Sequence, residues 1–158
     1  MEDSIREYRE GDLNGVMAAW EAASAQAHPF LPPEFVAEVR EAIPKLYIPN
    51  AETWVAELEG QVVGFISLLG SEVGAIFVDP SHQGKGLGLK LMDKARELKG
   101  QLEVEVFAAN SIGCEFYREY GFVQIEKKTH EQTGLDLVRL QTAAESNSSQ
   151  TVALPATN

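Results

Sequence analysis

The amino-acid sequence predicts one α/β domain whose strands and helices follow in the order β-α-α-β-β-β-α-β-α-β-β. Strands are predicted where apolar residues alternate or where β-branched residues cluster, and helices where apolar residues recur every three or four positions. A glycine-rich loop joins the fourth strand to the third helix. The strands at 73–78 and 102–107 flank this helix, and a right-handed crossover through it makes them parallel.

The first elements are a strand and two helices. The run "SIREYRE" (4–10) predicts the strand, and Asp12 is positioned to cap the helix that follows. The segment "HPFLPP" (28–33) ends that helix. A second, short helix is predicted from about Glu34 to Pro44, because a proline inside a helix lacks the backbone N–H and clashes with the preceding turn.

Strands dominate the middle and the end of the domain. The runs "TWVAEL" and "QVVGFISLL" meet at Glu59-Gly60, which predicts a hairpin. The fourth strand, the glycine loop with its helix, and the alternating strand "LEVEVF" follow. The segment "NSIGCEFYREYGF" predicts a helix capped by Asn110 and Gly121, and "FVQIEKK" and "LDLVRL" predict a second hairpin.

The end of the chain changes in composition. From Gln141 onwards it is rich in Ser, Thr, Asn, Gln and Ala and has no periodicity. Such a segment can bury little apolar area. A single domain is therefore predicted at 1–140, with a disordered tail at 141–158.

The glycine loop "DPSHQGKGLGLKLM" places Gly84, Gly86 and Gly88 at the start of an amphipathic helix. Glycine allows positive φ, and exposed amides at a helix N-terminus bind anions such as phosphate. The spacing does not fit the Walker A loop, G-x-x-x-x-G-K-[ST], or the dinucleotide fingerprint, G-x-G-x-x-G. The pattern that remains is Q-x-x-G-x-G, beginning at Gln83.

This loop resembles the pyrophosphate loop of the GNAT superfamily of acyl-CoA N-acyltransferases. The segment "NSIGCEFYREYGF" resembles the superfamily's later motif N-x-x-A-x-x-F-Y-x-x-x-G-F, with Gly113 where alanine is commoner. Together with "AHPF", both motifs look most like the small bacterial stand-alone N-acetyltransferases. The resemblance covers roughly residues 4–140. It implies a GNAT fold, with a mixed, mostly antiparallel central sheet whose parallel central strand pair is splayed.

The resemblance implies a role for each matching position. The backbone of Phe77 and Val78 would face the pantetheine arm and polarise the thioester carbonyl, and Asn110 would reach the pantetheine. Tyr117 would donate a proton to the leaving CoA thiolate, since a phenol with a pKa of about 10 is protonated at neutral pH. The pyrophosphate would be held by Gln83 and by the amides of Gly84, Lys85, Gly86, Leu87, Gly88 and Leu89.

The base that deprotonates the acceptor ammonium has several candidates. In some superfamily members it is a glutamate five residues before the motif asparagine, and Glu105 occupies that position. Glu103 lies on the same face of the strand as Glu105. If that face is exposed to solvent, Glu103 and Glu105 are both ordinary surface glutamates. Many such enzymes use an ordered water chain instead. His28, in the Pro-rich break between the first two helices, is a candidate for the wall of the acceptor pocket, and local loop packing explains it about as well.

The charge distribution indicates the class of partner. A net charge of −11 argues against nucleic acid, whose phosphates are met by a surplus of Lys and Arg. Residues 80–100 carry five cations and two anions, a basic patch that suits a polyanion such as acetyl-CoA. The acidic remainder favours a cationic amine as acceptor.

Several further classes are disfavoured. No apolar run approaches the roughly 20 residues of a membrane helix, and the N-terminus lacks the pattern of a signal peptide. The single cysteine permits no internal disulfide, and the three histidines are far apart in the sequence. A cytoplasmic protein with no membrane contact and no metal is expected, as a monomer or homodimer.

The resemblance thus implies an acetyl-CoA-dependent N-acetyltransferase. Its acceptor would be a primary amine, either a small amine or a protein lysine or N-terminus, that attacks the thioester directly in a ternary complex. The alternative is a non-catalytic acyl-CoA-binding or sensor module on the same fold. Tyr117 favours the enzyme, because a module that only binds CoA needs no proton donor.

Overall fold

The computed structural model describes residues 3–143, which form one mixed β-sheet with helices on both faces. In this range the strands are β1 (Asp3–Glu7), β2 (Glu52–Leu58), β3 (Gln61–Leu69), β4 (Glu72–Val78), β5 (Glu103–Phe107), β6 (Val123–Thr129) and β7 (Asp136–Gln141). The helices are α1 (Leu13–Ala27), α2 (Pro33–Ala42), α3 (Ile48–Asn50), α4 (Leu87–Lys99) and α5 (Ser111–Tyr120). A π-helical turn (Ile43–Tyr47) joins α2 to α3, and a 3-10 turn (Pro80–His82) precedes α4.

The sheet has the strand order β1-β2-β3-β4-β5-β7-β6, and neighbouring strands are antiparallel except for β4 and β5. These two are parallel, but they pair only at Glu72–Glu103 and Val73–Val104. Beyond these residues β4 continues to Val78 paired only with β3, and β5 continues to Phe107 paired only with β7. Their carboxyl ends therefore diverge and leave a gap in the sheet. The predicted α/β fold with a splayed parallel pair is confirmed.

A β-bulge in β4 lies where this divergence begins. Ser67 of β3 pairs with Ala75, and Leu68 pairs with Val73, so Gly74 is the extra residue. A bulge bends its strand and increases the local twist. The bulge therefore helps β4 to leave β5 directly after their last paired residues.

The two faces of the sheet carry separate cores. Phe65 of β3 packs with Val16 and Trp20 of α1 on one face. The next residue, Ile66, packs with Leu91 of α4 on the other face, because consecutive side chains of a strand point to opposite sides. The sheet thus separates α1 and α2 from α4 and α5, and the gap between β4 and β5 connects the two sides.

Asp12 occupies the N-cap position of α1, as predicted, but its side-chain cap and the predicted end of the second helix are wrong. Asp12 does not cap α1 with its side chain, because its carboxylate accepts hydrogen bonds from the Arg6 guanidinium (2.9 and 3.0 Å) and from the Arg9 amide (2.9 Å). Pro44 does not end the second helical segment either. The backbone widens into a π turn in which the Ile48 amide donates to the Ile43 carbonyl, and this wider turn accommodates the proline.

The predicted hairpin turn and the predicted start of the tail have different outcomes. Glu59 and Gly60 both have positive φ (53° and 81°), the geometry of a tight turn between antiparallel strands, as predicted. The tail was predicted to begin at Gln141, but β7 includes that residue and Thr142 is 1% exposed. The Leu102 amide donates to Thr142 Oγ1 (2.8 Å), which secures the end of β7. The remainder of the predicted tail, 144–158, lies outside the described residues.

Candidate active site

A cavity of about 950 Å³ passes through the gap between β4 and β5. Its wall includes side chains of α1 and α2 on one side of the sheet and of α4 and α5 on the other. Cavities at the carboxyl ends of parallel strands are common ligand sites in α/β proteins. Because its wall includes residues on both sides of the sheet, this cavity has room on each side of the gap.

The glycine loop forms the α4 side of the cavity. Gly84 and Gly86 have φ of 83° and 82°, a conformation that residues with a side chain rarely adopt. Gly86 is the N-cap of α4 and offers no side chain to the first amides of the helix. Gly86, Leu87, Gly88 and Leu89 all line the cavity. Amides in this position bind anionic groups.

Other residues of the loop have structural roles that the spacing did not predict. The Gln83 side chain donates to the Val78 carbonyl (3.0 Å) and so ties the loop to the end of β4. Lys85 Nζ lies 3.1 Å from His82 Nδ1. A Cβ on Gly88 would lie 3.3 Å from the Phe116 ring, so this glycine also allows α4 to approach α5 closely.

Tyr117 lies in the wall of the cavity on α5 and is 8% exposed. Its ring packs edge-on against those of Phe116 (5.6 Å) and Phe122 (5.3 Å). Within residues 3–143 its hydroxyl has no hydrogen-bond partner. Burial raises the pKa of Tyr117, because the charged phenolate is poorly solvated there. The group is therefore protonated throughout the neutral range and available as a donor.

Asn110 is the N-cap of α5, as predicted. Its Oδ1 accepts a hydrogen bond from the Gly113 amide (2.8 Å), and its Nδ2 lies 3.4 Å from Nε2 of His28. Nδ1 of His28 lies 3.1 Å from the Ser24 hydroxyl of α1. A polar chain thus runs from α1 across the cavity to α5, and neither His28 nor Ser24 was expected to take part in it.

Glu105 lies in the cavity wall within a cluster of charged residues. It accepts bonds from Lys128 (2.7 Å) and Arg139 (3.0 Å), and Lys128 followed by Arg139 lowers its pKa. Arg139 also bonds Glu103 (2.6 Å) and Glu72 (3.3 Å). Since Glu72 belongs to β4 and Glu103 and Glu105 to β5, Arg139 links the two strands beside their short pairing.

Aromatic rings surround the cavity on the α1–α2 side. Phe107, at the end of β5, has neighbouring rings at centroid distances of 5.2–6.3 Å, namely His28, Phe30, Phe35 and His130. The hairpin between β6 and β7 reaches α2 through the ring contact of His130 with Phe35 (5.1 Å) and through the bond from Gln132 to Glu38 (2.7 Å). Apart from His28, the sequence did not indicate these rings as site residues, because they come from four separate segments.

Comparison with known proteins identifies the family. A model of the acetyltransferase (GNAT) domain matches residues 49–124. The Escherichia coli peptidyl-lysine N-acetyltransferase YjaB is 32% identical over 120 residues, covering 75% of this chain and 81% of that protein. The E. coli peptidyl-lysine N-acetyltransferase YiaC is 28% identical over 132 residues, covering 83% and 90%. The solution structure of apo YjaB from E. coli matches with a TM-score of 0.81 and 28% identity, covering 91% of this chain and 99% of that chain. The chain belongs to the GNAT acetyltransferase family.

As a GNAT protein, the chain is an acetyl-CoA-dependent N-acetyltransferase with acetyl-CoA as co-substrate, as the sequence predicted. No cluster of three or more metal-ligating side chains occurs among residues 3–143. In the same range, no helix is both long and apolar enough to cross a bilayer.

The structure brings most of the predicted GNAT site residues together. Lys85 is outside the cavity wall, and the predicted residues within it are Phe77, Val78, Gln83, Gly84, Gly86, Leu87, Gly88, Leu89, Asn110, Glu105, Tyr117 and His28. Their roles towards acetyl-CoA and the acceptor remain predictions.

Proposed function

We propose that this enzyme transfers the acetyl group of acetyl-CoA to the ε-amine of a lysine in a peptide or protein, by direct attack in a ternary complex. The observation that carries the proposal is the cavity that passes through the gap between β4 and β5. It has open helix amides at one end and an aromatic pocket at the other. Two substrates that enter from opposite sides would meet at the gap, which supplies proximity and orientation.

Acetyl-CoA occupies the α4–α5 side in this proposal. Its pyrophosphate lies on the amides that follow Gly84 and Gly86, with Lys85 beside it as a counter-charge. The pantetheine arm follows the edge of β4 that has separated from β5, where the backbone of Phe77 and Val78 is proposed to face the arm and the thioester carbonyl. Leu89 and Ile112 support this placement, because they line the cavity and are 49% and 48% exposed.

The acceptor occupies the α1–α2 side. A lysine side chain combines an apolar stem with a cationic end, and aromatic faces bind both. The rings around Phe107 suit the stem, and Glu105 and Glu72 add negative charge to the same wall. The names of YjaB and YiaC, both peptidyl-lysine N-acetyltransferases, support this acceptor over a small free amine. The acidic character of the whole chain favours a cationic protein surface as partner.

Tyr117 is the proposed donor to the leaving thiolate. As the C–S bond breaks, the electron pair moves to sulfur, and a protonated phenol in the cavity wall can supply the proton. The raised pKa of Tyr117 supports donation from a neutral hydroxyl in the resting enzyme. The ring contacts with Phe116 and Phe122 hold the side chain in one orientation.

Glu105 is proposed to attract the acceptor ammonium. Its position on the acceptor side supports this role, but Lys128 and Arg139 stabilise its ionised form. A carboxylate with a lowered pKa is a weak proton acceptor. We therefore favour attraction of the ammonium over proton acceptance as the role of Glu105. The pH profile of the acetylation rate, compared between Glu105→Gln and wild type, would test this choice.

Acetyl-CoA and a mixture of lysine peptides provide the direct test. We expect release of free CoA thiol and a mass increase of one acetyl group on lysine side chains. A matched peptide set whose only primary amine is the N-terminus should react much more slowly. If the protein binds CoA but neither peptide set causes release of CoA thiol, the enzyme proposal fails. A non-catalytic CoA-binding module then takes its place.

A further inference from the structure

His28 lies where the two sides of the cavity meet. It directly follows the last residue of α1, and its ring packs edge-on against Phe77 of β4 (6.1 Å) and Phe107 of β5 (6.0 Å). These phenylalanines lie at the diverging ends of the two central strands. Because the thioester is proposed to lie against the backbone of Phe77, His28 is beside the reacting carbonyl on the acceptor side.

Hydrogen bonds define the tautomer of His28. Oδ1 of Asn110 accepts from the Gly113 amide, so Nδ2 of Asn110 is the atom that faces Nε2 of His28. Since Nδ2 can only donate, Nε2 carries the lone pair. The ring proton is then on Nδ1, which donates to the Ser24 hydroxyl at 3.1 Å. An imidazole held through Nδ1–H presents Nε2 as a proton acceptor.

The surroundings of the ring are uncharged. Among the described residues, its polar and ring contacts come from Ser24 of α1, Phe30 of the following loop, Phe77 of β4, Phe107 of β5 and Asn110 of α5. Five other titratable groups line the same cavity without making any of these contacts, namely Tyr47, Glu72, Glu105, Tyr117 and His130. Burial lowers the pKa of His28 from its usual 6.5, so the imidazole is neutral at neutral pH.

We propose that His28 is the catalytic base that takes the proton from the acceptor ammonium, and that Ser24 positions it. This inference rests on the proposed acetylation of lysine. The contact between Nε2 and Asn110 is long at 3.4 Å, and the ammonium N–H can replace it. Glu105, the other candidate, is held by two cations, whereas His28 has a lone pair beside the gap.

The proton balance is complete with groups of this chain and solvent. Nε2 takes one proton from the ammonium and releases it to water, and the free amine forms the N–C bond at the thioester carbonyl. The C–S bond then breaks, and the thiolate takes the proton of the Tyr117 hydroxyl. The nitrogen loses its second proton as the amide forms, and this proton restores the Tyr117 hydroxyl. The products are the amide, CoA thiol and one proton released to solvent.

A pair of peptide acceptors distinguishes a base from a structural residue. One peptide carries lysine, and the other carries an isosteric side chain that ends in an aminooxy group, which is unprotonated at neutral pH and needs no base. We expect His28→Gln to lower kcat for the lysine peptide by about 10²-fold, the usual effect of losing a general base. The loss on the aminooxy peptide should be below about 10-fold, since no proton has to be removed before attack. Equal losses on both peptides would overturn the proposal.

Two further variants make the result decisive. His130→Gln changes the other histidine of the cavity wall, and we expect any loss to be the same on both peptides. Ser24→Ala removes one hydroxyl and leaves the ring in place, so it answers the question even if His28→Gln fails to fold. It should lower the lysine rate selectively and change the acid limb of its pH profile. An unchanged ratio of lysine to aminooxy rates in Ser24→Ala would contradict the proposal.

The wild-type reaction separates this inference from the proposed function. If wild type acetylates neither peptide, lysine acetylation itself is wrong. If wild type acetylates the lysine peptide and His28→Gln does so equally well, only the role of His28 is wrong. Melting temperature and acetyl-CoA affinity, measured on each variant, show that differences in rate do not come from unfolding or from loss of the co-substrate.

Discussion

Asn110 and Gly113 are matched to each other at the start of α5. The Gly113 amide donates to Oδ1 of Asn110 at 2.8 Å, and a Cβ on Gly113 would lie only 2.5 Å from Nδ2 of the same side chain. Glycine therefore permits the Asn110 orientation that faces His28. The commoner alanine of the motif would place a methyl group against the Asn110 amide. Glycine at position 113 leaves that space free, and the Asn110 amide can then contact His28.

Replacing Gly113 with alanine tests this relationship. The Asn110 amide must rotate away, which breaks the cap and the contact with His28. Loss of an N-cap costs about 1 kcal/mol, and alanine in place of glycine in a helix regains about the same amount. We expect little change in melting temperature but a clear fall in kcat for lysine peptides. Glu119→Ala, on the exposed side of α5, is the control. Unchanged kcat in Gly113→Ala would show that the Asn110 orientation does not matter for catalysis.

Tyr117→Phe keeps the ring contacts and removes only the hydroxyl. Because that hydroxyl has no partner within residues 3–143, its loss should leave the melting temperature nearly unchanged. We expect kcat to fall by about 10²–10³-fold, as for a lost general acid, with normal acetyl-CoA affinity. Tyr120→Phe is the matched control, since its hydroxyl donates to exposed Asp93 at 2.6 Å. Retained kcat together with a lower melting temperature would assign Tyr117 to the core alone.

Gly86 and Gly70 provide a matched pair for the pyrophosphate loop. Both have positive φ (82° and 62°), and an added Cβ meets no atom within 4 Å at either position. Alanine should lower stability at both sites by about 1–2 kcal/mol, because the left-handed conformation is strained for a residue with a side chain. Only Gly86→Ala should also weaken acetyl-CoA binding, which calorimetry would measure. Equal CoA affinity in the two folded variants would place the phosphates elsewhere.

His28 predicts a pH dependence of stability. Its pKa in the folded protein lies below the 6.5 of an exposed histidine, so the unfolded chain binds the proton more readily. The contribution of His28 is therefore present above pH 6.5 and is lost as the pH falls through that value towards the folded pKa. The free energy of unfolding of wild type minus that of His28→Gln should decrease in this window, by up to about 1.4 kcal/mol per pH unit. A difference that stays constant from pH 8 to pH 5 would mean that the folded site tolerates the charged ring.

Thr142 gives a stability prediction for the residues at the end of β7. Its hydroxyl accepts from the Leu102 amide at 2.8 Å, and its own amide donates to the Leu102 carbonyl at 2.9 Å. Thr142→Val keeps the shape but leaves the buried Leu102 amide unpaired, which should cost about 1–3 kcal/mol. Thr142→Ser keeps the hydroxyl and should cost less. Chemical denaturation measures both, and a larger loss in Thr142→Ser than in Thr142→Val would mean that the methyl group contributes more than the hydrogen bond.

The sequence by itself determined the order of the main elements, the parallel orientation of the central strand pair and the family, whereas the splay of that pair was implied only by the resemblance. These features depend on local patterns, such as the glycines from Gly84 to Gly88 and the motif from Asn110 to Phe122. Such patterns act through φ, capping and strand alternation, which are properties of neighbouring residues. The errors at Asp12 and Pro44 arose because Arg6 and Arg9 bind the Asp12 carboxylate and because a wider helical turn accommodates Pro44.

The α1–α2 side of the cavity, where we propose that the acceptor binds, was decided only by the tertiary structure. Phe35, Phe107 and His130 belong to segments that are far apart in the chain and meet because α2 and the last hairpin cover the end of β5. Glu105 has the spacing to the motif asparagine that a base glutamate has in some superfamily members, yet its proton affinity depends on Lys128 and Arg139, which sheet pairing brings to it. His28 acquires its tautomer from Ser24 and Asn110 on two different helices. Proton affinity is set by what surrounds a group in space, and neither composition nor spacing contains that information.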